Sequence, residues 1–238
     1  MFLLGIVGSV FASFMYTLIH SNDSKILTRR SECNHCERKL KWFELIPIVS
    51  YLVQRGKCNS CKERIPIVYF VCEILLALLF LVPVIFQLQF DDYLIYYLLI
   101  IFLVPIALYD YETFTIPNHM SLILLISGLL LSGFTHVEII VDLVTISIFH
   151  IIYFLFNNSI GYGDIKLLSV ISLLTPVNFI LYTFLFTFII GGLFILTLSL
   201  YKKIVQEKIP LAPFIATSVI LTFLIYEDLN KIYFGGFL

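Results

Sequence analysis

Gly161-Tyr162-Gly163-Asp164-Ile165-Lys166 interrupts a chain of long apolar runs and sets a carboxylate at the mouth of one of them. An ionised aspartate at the edge of a hydrocarbon layer is costly, so such residues line polar cavities, pair with one another or carry out chemistry. A second carboxylate stands in the same kind of place. Asp110 closes the apolar run Leu94 to Tyr109, and a polar turn, Glu112-Thr113-Phe114-Thr115-Ile116-Pro117-Asn118, follows it. The expectation is that Asp110 and Asp164 face each other as a catalytic pair.

The runs themselves decide the class. Of 238 residues, 60% are apolar and 13% charged, with a mean hydropathy of +1.00. Soluble chains carry about 25% charged residues, so this composition belongs to an all-α polytopic membrane protein in a lipid bilayer. Apolar runs near 1–19, 66–86, 93–109, 118–135, 137–156, 177–200 and 210–226 approach the ~20 residues that a crossing helix needs. An eighth, 165–175, rises only about 16 Å as a helix, so it either crosses a thin region or is re-entrant. The first run has no basic residue ahead of its apolar core, which reads as a retained span rather than a secretory signal.

Charge sets the expected orientation. Ten of the fifteen Lys and Arg lie between Lys25 and Arg64, which assigns that loop to the cytoplasm. Alternation then puts Gln87–Asp92 outside, the Asp110 turn inside, Thr135-His136 outside and the Gly161–Asp164 turn inside. Lys202, Lys203 and Lys208 fall inside only if 165–175 crosses. Eight spans with both termini outside satisfy this pattern, and both aspartates then emerge on the cytoplasmic face. The organisation expected is a first helix at 1–19, a cytoplasmic loop domain at 20–65 and a bundle at 66–238, with no internal repeat.

Within that loop stand Cys33-Asn34-His35-Cys36 and Cys58-Asn59-Ser60-Cys61, two C-x-x-C pairs 21 residues apart. Each pair supplies half of a tetrahedral site, so Cys33, Cys36, Cys58 and Cys61 are expected to hold a structural Zn²⁺. Reducing conditions disfavour disulfides, and a redox C-x-x-C would need one pair and a thioredoxin-like setting. His35 is left out because four thiolates fill the tetrahedron. Cys72 reads as a small buried apolar residue. Trp42 and Phe43 are expected on the zinc lobe or at the membrane interface.

Two carboxyl groups a few ångströms apart share a proton, as in aspartic proteases. The ionised member draws a proton from water while the protonated member polarises the scissile carbonyl, with no metal required. Gly161 and Gly163 let the backbone turn tightly and approach a neighbour closely. Pro117 suits the first turn of the following span. Lys166 reads as a topology charge or as a tuner of one aspartate, and Glu112 as a weaker candidate. Either aspartate taken alone would read as a helix cap or a solvated turn residue.

In combination these residues resemble the bacterial type IV prepilin peptidases, including those of Gram-positive competence systems. The resemblance runs through the double knuckle with Leu45-Ile46-Pro47-Ile48-Val49-Ser50-Tyr51 and Arg55-Gly56-Lys57, through Tyr69 and Glu73, and through Tyr109-Asp110 with Ile116-Pro117-Asn118. It continues in Gly161 to Leu167 and in Ile209-Pro210-Leu211-Ala212-Pro213-Phe214. It implies cleavage of prepilin or pseudopilin leader peptides at the cytoplasmic face of the bacterial plasma membrane, with Asp110 and Asp164 catalytic and no nucleic-acid partner. Many members are said also to methylate the new N-terminus with S-adenosylmethionine. The family pattern has Gly, Asn and Arg where Ala12, Tyr16 and His20 stand, which bears on methyl transfer more than on proteolysis. Nothing in the residues fixes the oligomeric state.

Three other readings compete. A presenilin-like intramembrane aspartyl protease shares the aspartate motifs but is not expected to carry the cysteine loop. An ion- or proton-coupled transporter would hold its carboxylates near mid-bilayer. A zinc-bearing scaffold would tolerate replacement of both aspartates.

Overall fold

A computed structural model of the chain describes residues 1–20, 31–33, 35–86, 88, 93–132, 138–156, 160–200 and 209–233. Its elements are α1 (Phe2–Ile19), a 3₁₀ turn (Trp42–Leu45), α2 (Val49–Val53), α3 (Ile67–Leu79), α4 (Val82–Phe86), α5 (Tyr93–Thr113), α6 (Asn118–Ser132), α7 (Ile139–Leu155), α8 (Tyr162–Leu174), α9 (Val177–Leu200) and α10 (Ala212–Tyr233). Among the described residues there are no strands, only two isolated β-bridges. The chain divides into two compact units, Met1–Ile85 and Phe86–Leu238.

In the first unit α1 packs along α3. Gly5, Gly8, Ser9 and Ala12 recur at helical spacing, and small residues let two backbones close up where lipid offers no hydrophobic drive. A Cβ on Gly8 would lie 2.7 Å from the Leu76 carbonyl oxygen, so the contact needs glycine. Below it Tyr16 meets Tyr69 edge-on at 4.8 Å. The proline ring of Pro83 opposes the Leu79 carbonyl, four residues back, and α3 ends there. The buried Glu73 finds its partner in the Ile48 N–H, 2.6 Å from Oε2. Ile48 has φ +63°, a costly conformation for a β-branched residue, and this bond helps hold it.

In the second unit α5 is the core helix. Ile95, Tyr96, Leu99, Ile100, Leu103 and Ile106 are essentially inaccessible, and Tyr96 meets Phe223 of α10 at 5.1 Å. The short α8 is the other buried element, packed against α6, α7 and α9, with Ile165, Leu167, Leu168, Ile171 and Leu174 all enclosed. At thirteen residues it is about 20 Å long, which suits a helix surrounded by protein rather than by lipid. Gly128 of α6 admits the Leu174 side chain, whose Cδ2 lies 2.4 Å from where a Cβ would stand.

Helices occupy each of the eight apolar stretches. Five are long and apolar enough to cross a membrane: Phe2–Ile19, Ile67–Phe86 (α3 and α4 together), Tyr93–Thr113, Val177–Leu200 and Ala212–Tyr233. The chain is a multi-pass membrane protein. α6 and α7 are apolar but shorter, and α10 runs past the apolar segment to Tyr233. Of the residues used for the charge-based orientation, Lys25–Arg30, Gln87, 89–92, Thr135, His136, Lys202, Lys203 and Lys208 lie outside the described residues, while the basic residues from Arg38 to Arg64 are described.

Candidate active site and metal centre

Asp110 lies in the last turn of α5 and Asp164 in the first turn of α8, and both are buried. The two carboxyls are within electrostatic reach of each other. The Oδ2 of Asp110 accepts a hydrogen bond from the Ala212 N–H at 3.2 Å, an amide left free because it opens α10. Asp164 is the third residue of α8, and its carboxylate folds back on Gly161, the residue that caps the helix. Its Oδ1 is buried and bonded to no protein group.

The glycines have separate tasks. A Cβ on Gly161 would lie 2.7 Å from the Asp164 Oδ2, so glycine leaves room for the folded-back carboxylate. A Cβ on Gly163 would lie 3.2 Å from the Cβ of Ile116, which seats the turn after α5 against the start of α8. Lys166, also on α8, donates to the Asn118 side-chain oxygen at the start of α6 and lies 4.9 Å over the Tyr162 ring. Pro117 sits one residue ahead of α6, not within its first turn, and its carbonyl accepts from the Met120 and Ser121 N–H groups. Glu112 is exposed, on the outward side of the last α5 turn. Thus Asp110, Asp164, Gly161, Gly163 and Lys166 share one end of the second unit, and Glu112 stands at the same end but exposed.

Sequence reasoning assigned no task to Ala212 or Ile116, although both lie in quoted motifs. Two other polar residues of the apolar helices are also bonded: Glu73 to the Ile48 N–H, and His150, whose Nδ1 meets the Ile146 carbonyl oxygen at 2.9 Å.

In the first unit the four cysteine sulfurs lie within 4.8 Å of one another, and Cys33 and Cys61 are 3.8 Å apart. A tetrahedral ion with metal–sulfur bonds of about 2.3 Å spaces its ligands by about 3.8 Å, so the set fits a four-thiolate metal. The two knuckles repeat one backbone pattern. Cys33 N–H bonds Arg38 O and Glu37 N–H bonds Cys33 O, while 25 residues on Cys58 N–H bonds Glu63 O and Lys62 N–H bonds Cys58 O. Glu32 bridges Lys39 as Lys57 bridges Arg64, and Glu37 and Lys62 both take positive φ. The repeat is also written in the residues, Cys-Asn-x-Cys followed by three charged side chains at 33–39 and again at 58–64, so the expectation of no internal repeat does not hold for the lobe. The amides of Cys61 and Ser60 draw the Cys58 thiol down to about 6, towards the thiolate form that binds metal.

One buried acid ties the knuckles together. Glu44 Oε1 accepts from Arg38 at 2.7 Å and from Asn59 at 2.8 Å, and Oε2 accepts from the Lys41 N–H at 2.8 Å. The Arg38 guanidinium foremost holds the Glu44 carboxyl down to about 2. Trp42 and Phe43 form an exposed edge-on pair rather than packing into the lobe, and Cys72 is fully buried in α3.

The model of the Bacterial Peptidase A24 N-terminal domain matches residues 6–87, and that of the Type IV leader peptidase family matches residues 97–196. A prepilin leader peptidase/N-methyltransferase of Bacillus subtilis (strain 168) is 31% identical, over 97% of this chain and 96% of its own. Proteins of the same description from Vibrio cholerae and Dichelobacter nodosus are 28% and 26% identical, over 79% and 94% of this chain and 83% and 84% of theirs. No solved structure matches the chain. With both halves matched in tandem and a relative aligned along nearly its whole length, the chain belongs to the type IV leader peptidase family.

Proposed function

We propose that the chain is a membrane-embedded aspartic endopeptidase that removes the leader peptide of type IV prepilin-like precursors. The observation that carries this is the buried pair of Asp110 and Asp164, within electrostatic reach, Asp110 held by the Ala212 N–H and Asp164 folded back on Gly161 at the start of α8. A pair so placed shares a proton: one carboxylate takes a proton from water and the other donates a hydrogen bond to the scissile carbonyl. Gly161, Gly163 and Ile116 keep the two side chains in register, and Lys166 with Asn118 ties α8 to the start of α6. The concentration of Lys and Arg between Lys25 and Arg64 supports a cytoplasmic lobe and active site. Zn²⁺ is the ion that the reduced four-cysteine set favours, and bound there it supplies folding energy to the lobe rather than chemistry.

Methyl transfer stands apart. The relatives' descriptions include N-methyltransferase, which favours S-adenosylmethionine as a second substrate. Among the described residues no strand–helix unit carries a glycine-rich turn, so the fold offers no ordinary nucleotide cradle and no step is assigned to that group.

The test is incubation of the full chain with a prepilin-like peptide and S-adenosylmethionine, read by mass spectrometry for cleavage and for one added methyl group. Asp110→Asn and Asp164→Asn are each expected to abolish cleavage while thermal unfolding stays unchanged. Retained cleavage by either variant removes that residue from the pair, and the methyl readout is scored separately.

A further inference from the structure

The first unit carries a cavity of about 500 Å³ where the cysteine lobe meets the start of α3. It is an open depression lined by Tyr51, Arg55, Lys57, Arg64, Pro66 and Ile67, so three exposed basic residues gather round it with no carboxylate among the lining residues. The buried acids of this unit are engaged elsewhere: Glu44 with Arg38 and Asn59, Glu73 with the Ile48 N–H.

The cations stand on a fixed frame. Gly56 has φ +65°, and a Cβ there would lie 2.9 Å from the Tyr51 hydroxyl oxygen, so the turn closes directly on that ring. Tyr51 stacks on Phe70 of α3 at 4.8 Å, the Ile65 N–H bonds the Gly56 carbonyl oxygen at 2.8 Å, and Lys57 pairs with Arg64 across a β-bridge. The site lies at the border between polar and apolar chain. Ile67 opens the span Ile67–Phe86 and is 62% exposed, and α2, which carries Tyr51, exposes Val49, Leu52 and Val53. Apolar side chains beside cations at a helix mouth match the headgroup layer, where phosphates meet the acyl boundary.

We infer that this cavity binds the headgroup phosphate of an anionic phospholipid and seats the cysteine lobe on the bilayer surface. This does not depend on the peptidase reading. Each basic residue near an anionic surface contributes about fivefold in affinity, so the three together contribute roughly 100-fold at low salt.

The test uses the full chain in nanodiscs of phosphatidylcholine containing a minority of phosphatidylglycerol, released into native mass spectrometry. The wild-type protein is expected to retain phosphatidylglycerol at least tenfold above its bulk ratio. The variant Arg55→Gln/Lys57→Gln/Arg64→Gln is expected to fall to the bulk ratio with unchanged circular dichroism. Should the triple variant fail to insert, Arg64→Gln alone is expected to lower the enrichment several-fold. Enrichment that survives neutralisation overturns the inference. So does loss of the lipid on adding inorganic phosphate or S-adenosylmethionine, which would make this a small-molecule site. A raised KM for the prepilin-like peptide with lipid retention unchanged would make it a substrate surface and overturns it equally.

Discussion

Replacing Gly161 by alanine separates the geometry of the carboxylate pair from the stability of the fold. Gly161 has φ −70° and ψ 138°, extended backbone that alanine adopts without strain, and the residue is exposed. The new methyl group meets the Asp164 carboxylate, the Oδ2 at 2.7 Å and the Cγ at an ordinary 3.7 Å. Ordinary contact begins near 3.4 Å, so the carboxylate must move by about 0.7 Å. That oxygen ends a flexible side chain, and the fold therefore loses about 1 kcal/mol or less, a Tm change of a few degrees. Catalysis is less tolerant, because a misplacement of about 1 Å costs on the order of 100-fold. Gly161→Ala is expected to lower kcat by about 10- to 100-fold with KM within about threefold, since the moved group acts on the reacting bond and not on remote substrate contacts. Initial rates on the prepilin-like peptide and thermal unfolding of the same sample provide the two readouts. Wild-type kcat refutes the placement of Asp164, and a rate loss matched by a fall in Tm refutes the claim that the effect is local.

Ala212→Pro removes the N–H that Asp110 accepts, at a first helical position where proline is tolerated. The expected result is a fall in kcat of about tenfold or more, while Ala212→Gly, which keeps the donor, stays within about threefold; equal rates for both variants would refute the contact's role. In the lobe, Glu44→Gln leaves an amide facing three donors, and hydrogen exchange over residues 35–64 should report about 1–3 kcal/mol less local stability at pH 7. The folded Glu44 carboxyl titrates near 2 against an ordinary 4.5, so its contribution is complete above about 4.5 and is lost as pH falls towards 2. The difference between the two proteins should therefore be the same at pH 7 and pH 5, and a decline already present between those values would refute the assignment.

What the sequence made legible were features written in side-chain type and spacing. Apolar runs gave the helices, and the two C-x-x-C pairs gave a sulfur cluster whose ligand atoms converge within 4.8 Å. Features written in backbone were not legible. The donor to Asp110 is an amide, which any residue but proline carries, so nothing about Ala212 announces it. The knuckle repeat shows in Cys-Asn-x-Cys at 33–36 and 58–61, but the positive φ that both turns need falls on Glu37 and Lys62, neither of which announces it. The notch at Gly128 is visible as a glycine, but its occupant, Leu174, is set by the packing of α6 on α8. α10 outruns its apolar segment, and there Tyr182 of α9 packs against Tyr226 and Tyr233 and bonds Asn230, contacts between helices that a hydropathy reading does not contain.

The manner of holding the two aspartates follows from the work required of them. A lysine or arginine bonded directly to either carboxyl would fix it as the ionised member and oppose the sharing of one proton. Backbone N–H groups at helix starts offer partial positive charge without a full countercharge, so they orient a carboxylate and still let the proton pass. Asp110 is held in this way by the Ala212 N–H that opens α10, Asp164 folds back on Gly161 at the start of α8, and the cation on α8, Lys166, is turned to Asn118. The buried Oδ1 of Asp164, without a protein partner, then has a consequence: a stranded acceptor costs about 1–3 kcal/mol, and a site that carries such a cost gains most when a donor arrives with the substrate or its attacking water. Replacing Lys166 with methionine should on this basis loosen α8 from α6 more than it alters the proton shared by the pair.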